Sequence, residues 1–82
     1  MADDIRIRVR YFASLREQLG SGEEQVVPAG ATAADLWAAA MRRAPSLRRT
    51  RVRFAVNAEY VDADHRLAEG DELAVFPPMS GG

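Results

Sequence analysis

The chain has 82 residues, a formal net charge of −1, no cysteine and a single histidine. This length supports one small domain, and the lack of cysteine excludes disulfides, thiol catalysis, cysteine-ligated zinc and iron–sulfur clusters. With 48% hydrophobic and 28% charged residues the composition is globular, and the chain is too small for us to expect a self-sufficient enzyme.

The first part of the chain predicts a strand, a short helix and a second strand. Residues 5–11 alternate strictly between apolar residues and arginines, which is the pattern of a half-buried strand. The apolar face holds Ile5, Ile7, Val9 and Tyr11. Residues 13–19 suit a short helix that stops at Gly20, and residues 23–27 suit a strand. Because the connection is short, we expect the two strands to be antiparallel neighbours.

The main helix is predicted over residues 33–43. Thr32 can cap its first turn together with Asp35, and its basic end suits the C-terminal dipole. Pro45 is expected to end the helix. Three further strands are predicted, over residues 52–56, 60–61 and 72–76.

The element order β, α, β, α, β, β, β predicts an α+β fold of the ubiquitin-like β-grasp type. We expect a mixed β-sheet with the main helix packed on one face and a short extra helix. This domain is predicted over residues 1–78, with residues 79–82 as a flexible C-terminal tail. The other sheet face then stays open, and strand parity puts Phe12 and Phe76 on that open face.

Charge is distributed unevenly along the chain. Residues 42–53 hold six arginines and no acid, whereas residues 54–82 hold one arginine and six acids. A solvated helix end and loop explains the arginine cluster better than a nucleic-acid site, because its acidic flanks cancel the charge. The acidic segment 59–72 either steers a basic partner or is merely a solvated surface. All eleven basic residues are arginine, which compositional bias explains; a functional absence of lysine amines is the alternative.

No apolar run approaches the ~20 residues that a membrane-spanning helix needs. The first residues, Met1 to Asp4, are acidic and lack the basic-then-apolar pattern of a signal peptide. We therefore expect a cytoplasmic protein.

The last residues form an unusual tail, in which Pro77-Pro78 is followed by Met79-Ser80-Gly81-Gly82. The two prolines end the last strand and direct the tail away from the domain. Four extended residues reach about 13–14 Å. Because glycine has no side chain, such a tail can enter a narrow channel in a partner enzyme and present its carboxylate there.

Three stretches of the sequence resemble the MoaD family, the small sulfur-carrier subunit of molybdopterin synthase. They are Tyr11-Phe12-Ala13-x-Leu15-Arg16-Glu17, Val56-Asn57-x-Glu59-Tyr60-Val61, and the segment EGDELAVFPPMSGG from Glu69 to Gly82. The resemblance covers nearly the whole chain, and the terminal motif is its most specific part.

This resemblance implies a sulfur carrier that is not catalytic alone. An E1-like adenylating enzyme of the MoeB type would consume ATP to adenylate the C-terminal carboxylate of Gly82, and a persulfide sulfur would displace AMP to leave a thiocarboxylate. The MoaE-type large subunit would then transfer this sulfur to the cyclic pyranopterin monophosphate precursor of molybdopterin. Two small and two large subunits form a heterotetramer in the family. No bound cofactor or metal is expected, and neither nucleic acid nor membrane is an expected partner.

The resemblance also implies that exposed apolar residues near the tail bind both protein partners. The predicted partner-binding residues are Phe12, Tyr60, Phe76, Pro77, Pro78, Met79, Ser80 and Gly81. For the three aromatic residues the alternative is a minor core under a loop. If they stay exposed beside a reactive tail, they are good interface anchors.

Three other functions stay open at this point. A ThiS-type sulfur carrier for thiamine synthesis would share the tail and the adenylation, although the short helix 13–19 and the Phe-Pro-Pro run favour the molybdenum branch. A ubiquitin-like protein modifier would share the activated intermediate. An RNA-binding module acting through residues 42–53 would lack interleaved surface aromatic residues there.

Overall fold

We analysed a computed structural model of the chain, which describes residues 3–78. Every predicted element is present in that range, with ends that shift by at most one residue. The strands are β1 (Asp4–Tyr11), β2 (Gly22–Pro28), β3 (Arg53–Val56), β4 (Glu59–Val61) and β5 (Glu72–Phe76), and the α-helices are α1 (Ser14–Leu19) and α2 (Ala33–Arg43). The predicted tail, residues 79–82, lies outside the described residues.

The strands form a five-stranded mixed sheet in the order β2-β1-β5-β3-β4. β1 is antiparallel to β2, as its short connection predicts, and parallel to β5. β3 is antiparallel to both β5 and β4. This topology confirms the predicted ubiquitin-like β-grasp and places β5, which leads into the tail, at the centre of the sheet.

One face of the sheet packs against the helices. The main helix contributes Leu36, Trp37 and Ala40 to the same buried cluster as alternate residues of β1 and β5. Leu15 and Leu19, four residues apart on α1, are also buried in this cluster, as their spacing predicts. Each fully buried aliphatic side chain contributes roughly 1.5–3 kcal/mol relative to an exposed one.

The predicted cap of α2 is a complete capping box. The Asp35 backbone N–H donates to Thr32 Oγ1 at 3.2 Å, and the Thr32 N–H donates to Asp35 Oδ2 at 3.0 Å. These reciprocal bonds satisfy two backbone donors that a helix start otherwise leaves free. No helix within residues 3–78 is both long enough and apolar enough to cross a membrane.

The segment that carries the arginine cluster, residues 42–53, contains the predicted helix end and one element that was not predicted. α2 ends before Pro45, as predicted, but Pro45 then begins a 3₁₀ helix over Pro45–Arg49 that buries Leu47. All six arginines of the cluster are exposed. The cluster therefore lies on a solvated helix end and turn, which Leu47 anchors to the core.

Gly22 begins β2 at a point where no side chain fits. Its φ is +133°, and a Cβ atom there would overlap the Val9 carbonyl oxygen and lie 2.8 Å from Arg10 Cα. We expect Gly22→Ala to lower the free energy of unfolding by roughly 1–3 kcal/mol, because neighbouring backbone must move. Gly20→Ala is the matched control, since Gly20 has φ +84° but open space around it. Equal losses in urea unfolding would show that φ alone, and not the close approach, sets the cost.

Tyr11 carries a titratable hydroxyl in the buried part of the sheet. Burial raises the pKa of this hydroxyl above its ordinary 10.0, against the opposing charge of Arg43. The free energy of unfolding that the neutral Tyr11 hydroxyl contributes is therefore fully present below pH 10.0. It is lost as the pH rises through the higher pKa of the folded state. We expect Tyr11→Phe to lose less stability than the parent between about pH 8 and about pH 11, measured by urea unfolding. Tyr60→Phe, at an exposed position, should keep the parent's decline; a Tyr11→Phe profile that matches the parent would contradict the prediction.

Candidate functional site

The candidate site lies on the sheet face that the helices leave open, which we call the outer face. In the sheet register, Arg10 of β1 is beside Ala74 of β5, Ala74 is beside Ala55 of β3, and Ala55 is beside Tyr60 of β4. Side chains along a strand alternate between faces, so these four share the face opposite the buried Leu73 and Val75. Because Ala74 and Ala55 have small side chains, the middle of this row is a shallow apolar surface between the larger Arg10 and Tyr60.

Three aromatic side chains come together at the tail end of this face, and we call them the aromatic cluster: Phe12, Tyr60 and Phe76. The rings of Phe12 and Phe76 are stacked, with centroids 4.7 Å apart and an interplanar angle of 14°. Tyr60 tilts against Phe76 at 6.2 Å. Such pairs contribute about 0.5–1.5 kcal/mol beyond the area they bury.

The backbone around Phe12 fixes its position beside β5. The Phe12 N–H donates to the Val75 carbonyl at 3.2 Å, which continues the parallel pairing of β1 and β5. The next residue, Ala13, has φ 52° and turns the chain into α1. Such a φ is uncommon outside glycine, and it takes the chain out of the strand directly after Phe12, whose ring lies on the outer face with Phe76.

The structure therefore brings together the three aromatic residues that the sequence predicted as anchors. Phe12 and Phe76 are half-buried and stack on one another, while Tyr60 is 68% exposed. They lie on the outer face and not in the core that the helices cover. Their binding of partners stays a prediction.

Two arginines that the sequence analysis did not select lie over this cluster. The guanidinium carbon of Arg53 is 4.7 Å from the Tyr60 ring centroid, and that of Arg10 is 5.2 Å from the Phe12 centroid. Alternation alone puts Arg10 on the same face as Phe12, so that contact had a sequence signal. The contact between Arg53 and Tyr60 depends on the register of β3 with β4, which no local pattern reports.

The predicted tail begins directly beside the aromatic cluster. Pro77 follows Phe76 at the end of β5 and is half-buried, and Pro78 is exposed. The predicted site residues Met79, Ser80, Gly81 and Gly82 lie outside the described residues. A partner that holds this tail must therefore come close to the three aromatic rings.

A hydrogen-bonded turn fixes the other end of β5. Asn57, at φ 50°, donates from Nδ2 to Asp71 Oδ1 at 2.9 Å and accepts from the Glu72 N–H at 3.0 Å. Asp71 Oδ2 also accepts from the Ala68 N–H at 2.8 Å. Asn57 and Asp71, which belong to the sequence stretches that resemble MoaD, therefore have a structural role, because they anchor the start of the strand that carries Phe76.

The comparison with protein families agrees with this arrangement. The ThiS family model matches residues 9–82, a span that contains the aromatic cluster and the Gly81-Gly82 pair. The chain belongs to the ThiS family. The ThiS family assignment and the full-length relatives below confirm the resemblance to MoaD proteins.

Curated relatives of this ThiS-family chain have one name in common. The chain is 40% identical over 83 residues to the molybdopterin synthase sulfur carrier subunit of Homo sapiens, covering 94% of each chain. It is 38% identical over 86 residues to the protein of that name in Escherichia coli strain K12, covering 93% of this chain and 99% of the relative.

Solved structures of other proteins share the fold. A putative molybdopterin converting factor subunit 1 from Pyrococcus furiosus matches with a TM-score of 0.80 and 32% identity over 92% of this chain and 99% of that chain. Small archaeal modifier protein 1 of Haloferax volcanii matches with a TM-score of 0.76 and 29% identity, over 92% and 99%. A chain in the complex of molybdopterin-converting factor subunits 1 and 2 from Helicobacter pylori matches with a TM-score of 0.61 and 23% identity, over 95% and 100%, which shows the fold alone.

Proposed function

We propose that this ThiS-family chain is the sulfur carrier subunit of a molybdopterin synthase, and that the carboxylate of Gly82 carries the sulfur. The observation that carries the proposal is the 38–40% identity to proteins of that name over nearly their whole length. The family match reaches residue 82, so the Gly-Gly pair belongs to the matched region.

The chemistry explains why such a carrier needs an activating enzyme. A carboxylate is a poor electrophile, so an oxygen of Gly82 first attacks the α-phosphorus of ATP, and pyrophosphate leaves. A persulfide sulfur of the donor then attacks the acyl-adenylate, and AMP leaves. This attack forms a C–S bond and gives an acyl disulfide that keeps the S–S bond of the persulfide. A second thiol of the donor then attacks the donor's own sulfur in that S–S bond, forms a disulfide with it, and releases a thiocarboxylate on Gly82. Thiocarboxylates are anionic at neutral pH, so the sulfur is nucleophilic without a neighbouring base, and the carrier needs no bound cofactor.

Two protein partners follow from this sequence of steps. A MoeB-type E1-like enzyme adenylates Gly82, and a MoaE-type large subunit receives the charged tail and passes the sulfur to the cyclic pyranopterin monophosphate. The position of the aromatic cluster beside Pro77 supports a shared docking area for both, since an enzyme that encloses the tail also covers these rings. Exposed aromatic residues of this kind are typical interface anchors.

A protein-modifier function is the second candidate, favoured by the 29% identity to the archaeal modifier protein. A modifier would use the same adenylate but would transfer its carboxyl group to a lysine amine. The chain has no lysine of its own, so it offers no ε-amine for chains built from copies of itself. The higher identity to the carrier subunits favours sulfur transfer.

The intact mass of the chain after activation tests the proposal. The chain is incubated with an E1-like enzyme, ATP and a sulfur donor, and we expect one oxygen of the C-terminus to be replaced by sulfur. Addition of the large subunit and the cyclic precursor should then yield molybdopterin and return the carboxylate mass. Isopeptide adducts without a thiocarboxylate would instead establish a modifier. A thiocarboxylate that the large subunit does not consume would point to another sulfur pathway.

A further inference from the structure

The outer face is more positive than the rest of the molecule. Alternation and register put four arginines and three acidic residues on it, a surplus of one positive charge on a chain whose net charge is −1. These residues are Arg6, Arg8, Arg10, Arg53, Asp4, Glu24 and Glu72. A surface of this sign attracts a partner whose matching surface is acidic.

The two glutamates each lie near an arginine of β1. Arg8 is 3.9 Å from Glu24, and Arg10 is 3.9 Å from Glu72. Arg53 is exposed, and among residues 3–78 no carboxylate oxygen lies within 4.0 Å of its guanidinium nitrogens. Arg10 and Arg53 are the two arginines of this face nearest to the tail. Arg10 has a carboxylate nearby, whereas Arg53 has no ion-pair partner in the described part of the chain.

The Tyr60 ring holds this charge in a defined place. Arg53 sits over the ring at 4.7 Å and lies beside Phe76 in the register of β3 and β5. A cation–π contact does not occupy the N–H donors of the guanidinium, so they stay available to a further acceptor. A planar donor fork that is already positioned loses little side-chain freedom when it binds a carboxylate in a bidentate manner.

We propose that Arg53, placed over the Tyr60 ring, is a specificity-determining residue that binds an aspartate or glutamate carboxylate of the large subunit, at the rim of the contact made by the aromatic cluster. This inference rests on the proposed function, which supplies the partner. The aromatic rings then provide apolar contact, and Arg53 selects partners that carry an acid at the right place. The positive outer face brings such a partner in and disfavours basic surfaces.

The test compares charge changes at two exposed arginines. Binding of the natural large subunit to the parent chain, Arg53→Glu, Arg53→Gln and Arg53→Lys is measured by calorimetry at low and at high salt. The matched control is Arg49→Glu, which makes the same charge change on the 3₁₀ helix. Thermal unfolding of each variant shows whether it is folded.

We expect Arg53→Glu to weaken binding by about tenfold or more, Arg53→Gln and Arg53→Lys to weaken it less, and Arg49→Glu to leave it nearly unchanged. The affinity of Arg53→Gln should also fall less steeply with salt than that of the parent. Equal binding by Arg53→Glu and the parent, or an equal loss in Arg49→Glu, would overturn this inference alone. Failure of the parent chain itself to bind the large subunit would overturn the proposed function and this inference with it.

Discussion

Deletion of Gly82 is expected to abolish sulfur transfer and leave the fold intact. The buried core is built from residues between Ile7 and Val75, so it does not depend on the last glycine. Without Gly82 the terminal carboxylate moves back by one residue, about 3.3–3.6 Å, which is longer than the distance over which a reacting group stays aligned with its partner. The intact mass after incubation with the E1-like enzyme, ATP and sulfur donor should then show no thiocarboxylate.

The thermal midpoint of the truncated chain provides the control, and it should equal that of the parent. Gly81→Ala is the subtler variant, because it keeps the carboxylate in place and adds one methyl group to the tail. We expect it to slow transfer without changing the midpoint, since a narrow channel has little room for a side chain. Molybdopterin formation at the parent rate by the truncated chain would exclude Gly82 as the sulfur-bearing residue.

Replacement of Phe76 by alanine is expected to weaken partner binding by more free energy than it removes from folding stability. Phe76 is half-buried on the outer face, so the loss in unfolding free energy should be about 1–2 kcal/mol, below the roughly 3–5 kcal/mol of a fully buried phenylalanine. As an anchor beside the tail it should contribute ~2 kcal/mol or more to binding of the large subunit, a loss of about thirtyfold in affinity. Urea unfolding and calorimetric titration measure the two effects separately.

Val26→Ala is the matched control for Phe76→Ala. Val26 is 64% exposed and shares the outer face, but it belongs to β2 at the edge of the sheet, with β1 between it and β5. Its replacement should leave the affinity unchanged. A large loss of stability in Phe76→Ala with unchanged affinity would mean that Phe76 is a structural residue and that the docking area lies elsewhere.

Patterns that repeat within one element were predictable from the sequence. The alternation in residues 5–11 identified β1 and its buried face, and the spacing of Thr32 and Asp35 identified the start of α2. The outward position of Phe76 followed in the same way from its neighbours in β5. Strand parity and helix capping depend on residues a few positions apart, so a single sequence contains the whole signal.

The 3₁₀ helix after Pro45 and the requirement for glycine at position 22 were not predicted. Gly22 must be glycine because Val9 and Arg10 of the neighbouring strand approach its Cα closely, and nothing in residues 20–24 reports that approach. The 3₁₀ turn forms where Leu47 reaches the core, a contact that its own short segment cannot specify.

The sequence by itself determined the strands and the two α-helices, the β-grasp order, the aromatic residues of the outer face and the Gly-Gly ending. Only the tertiary structure decided that Phe12 stacks on Phe76 and that Arg53 lies over Tyr60. These pairs join β1 to β5 and β3 to β4, and they exist because the register brings those strands together at one end of the sheet. Register is set by the packing of the whole sheet on its helices, and the residues that meet across it carry no local pattern that names their partner.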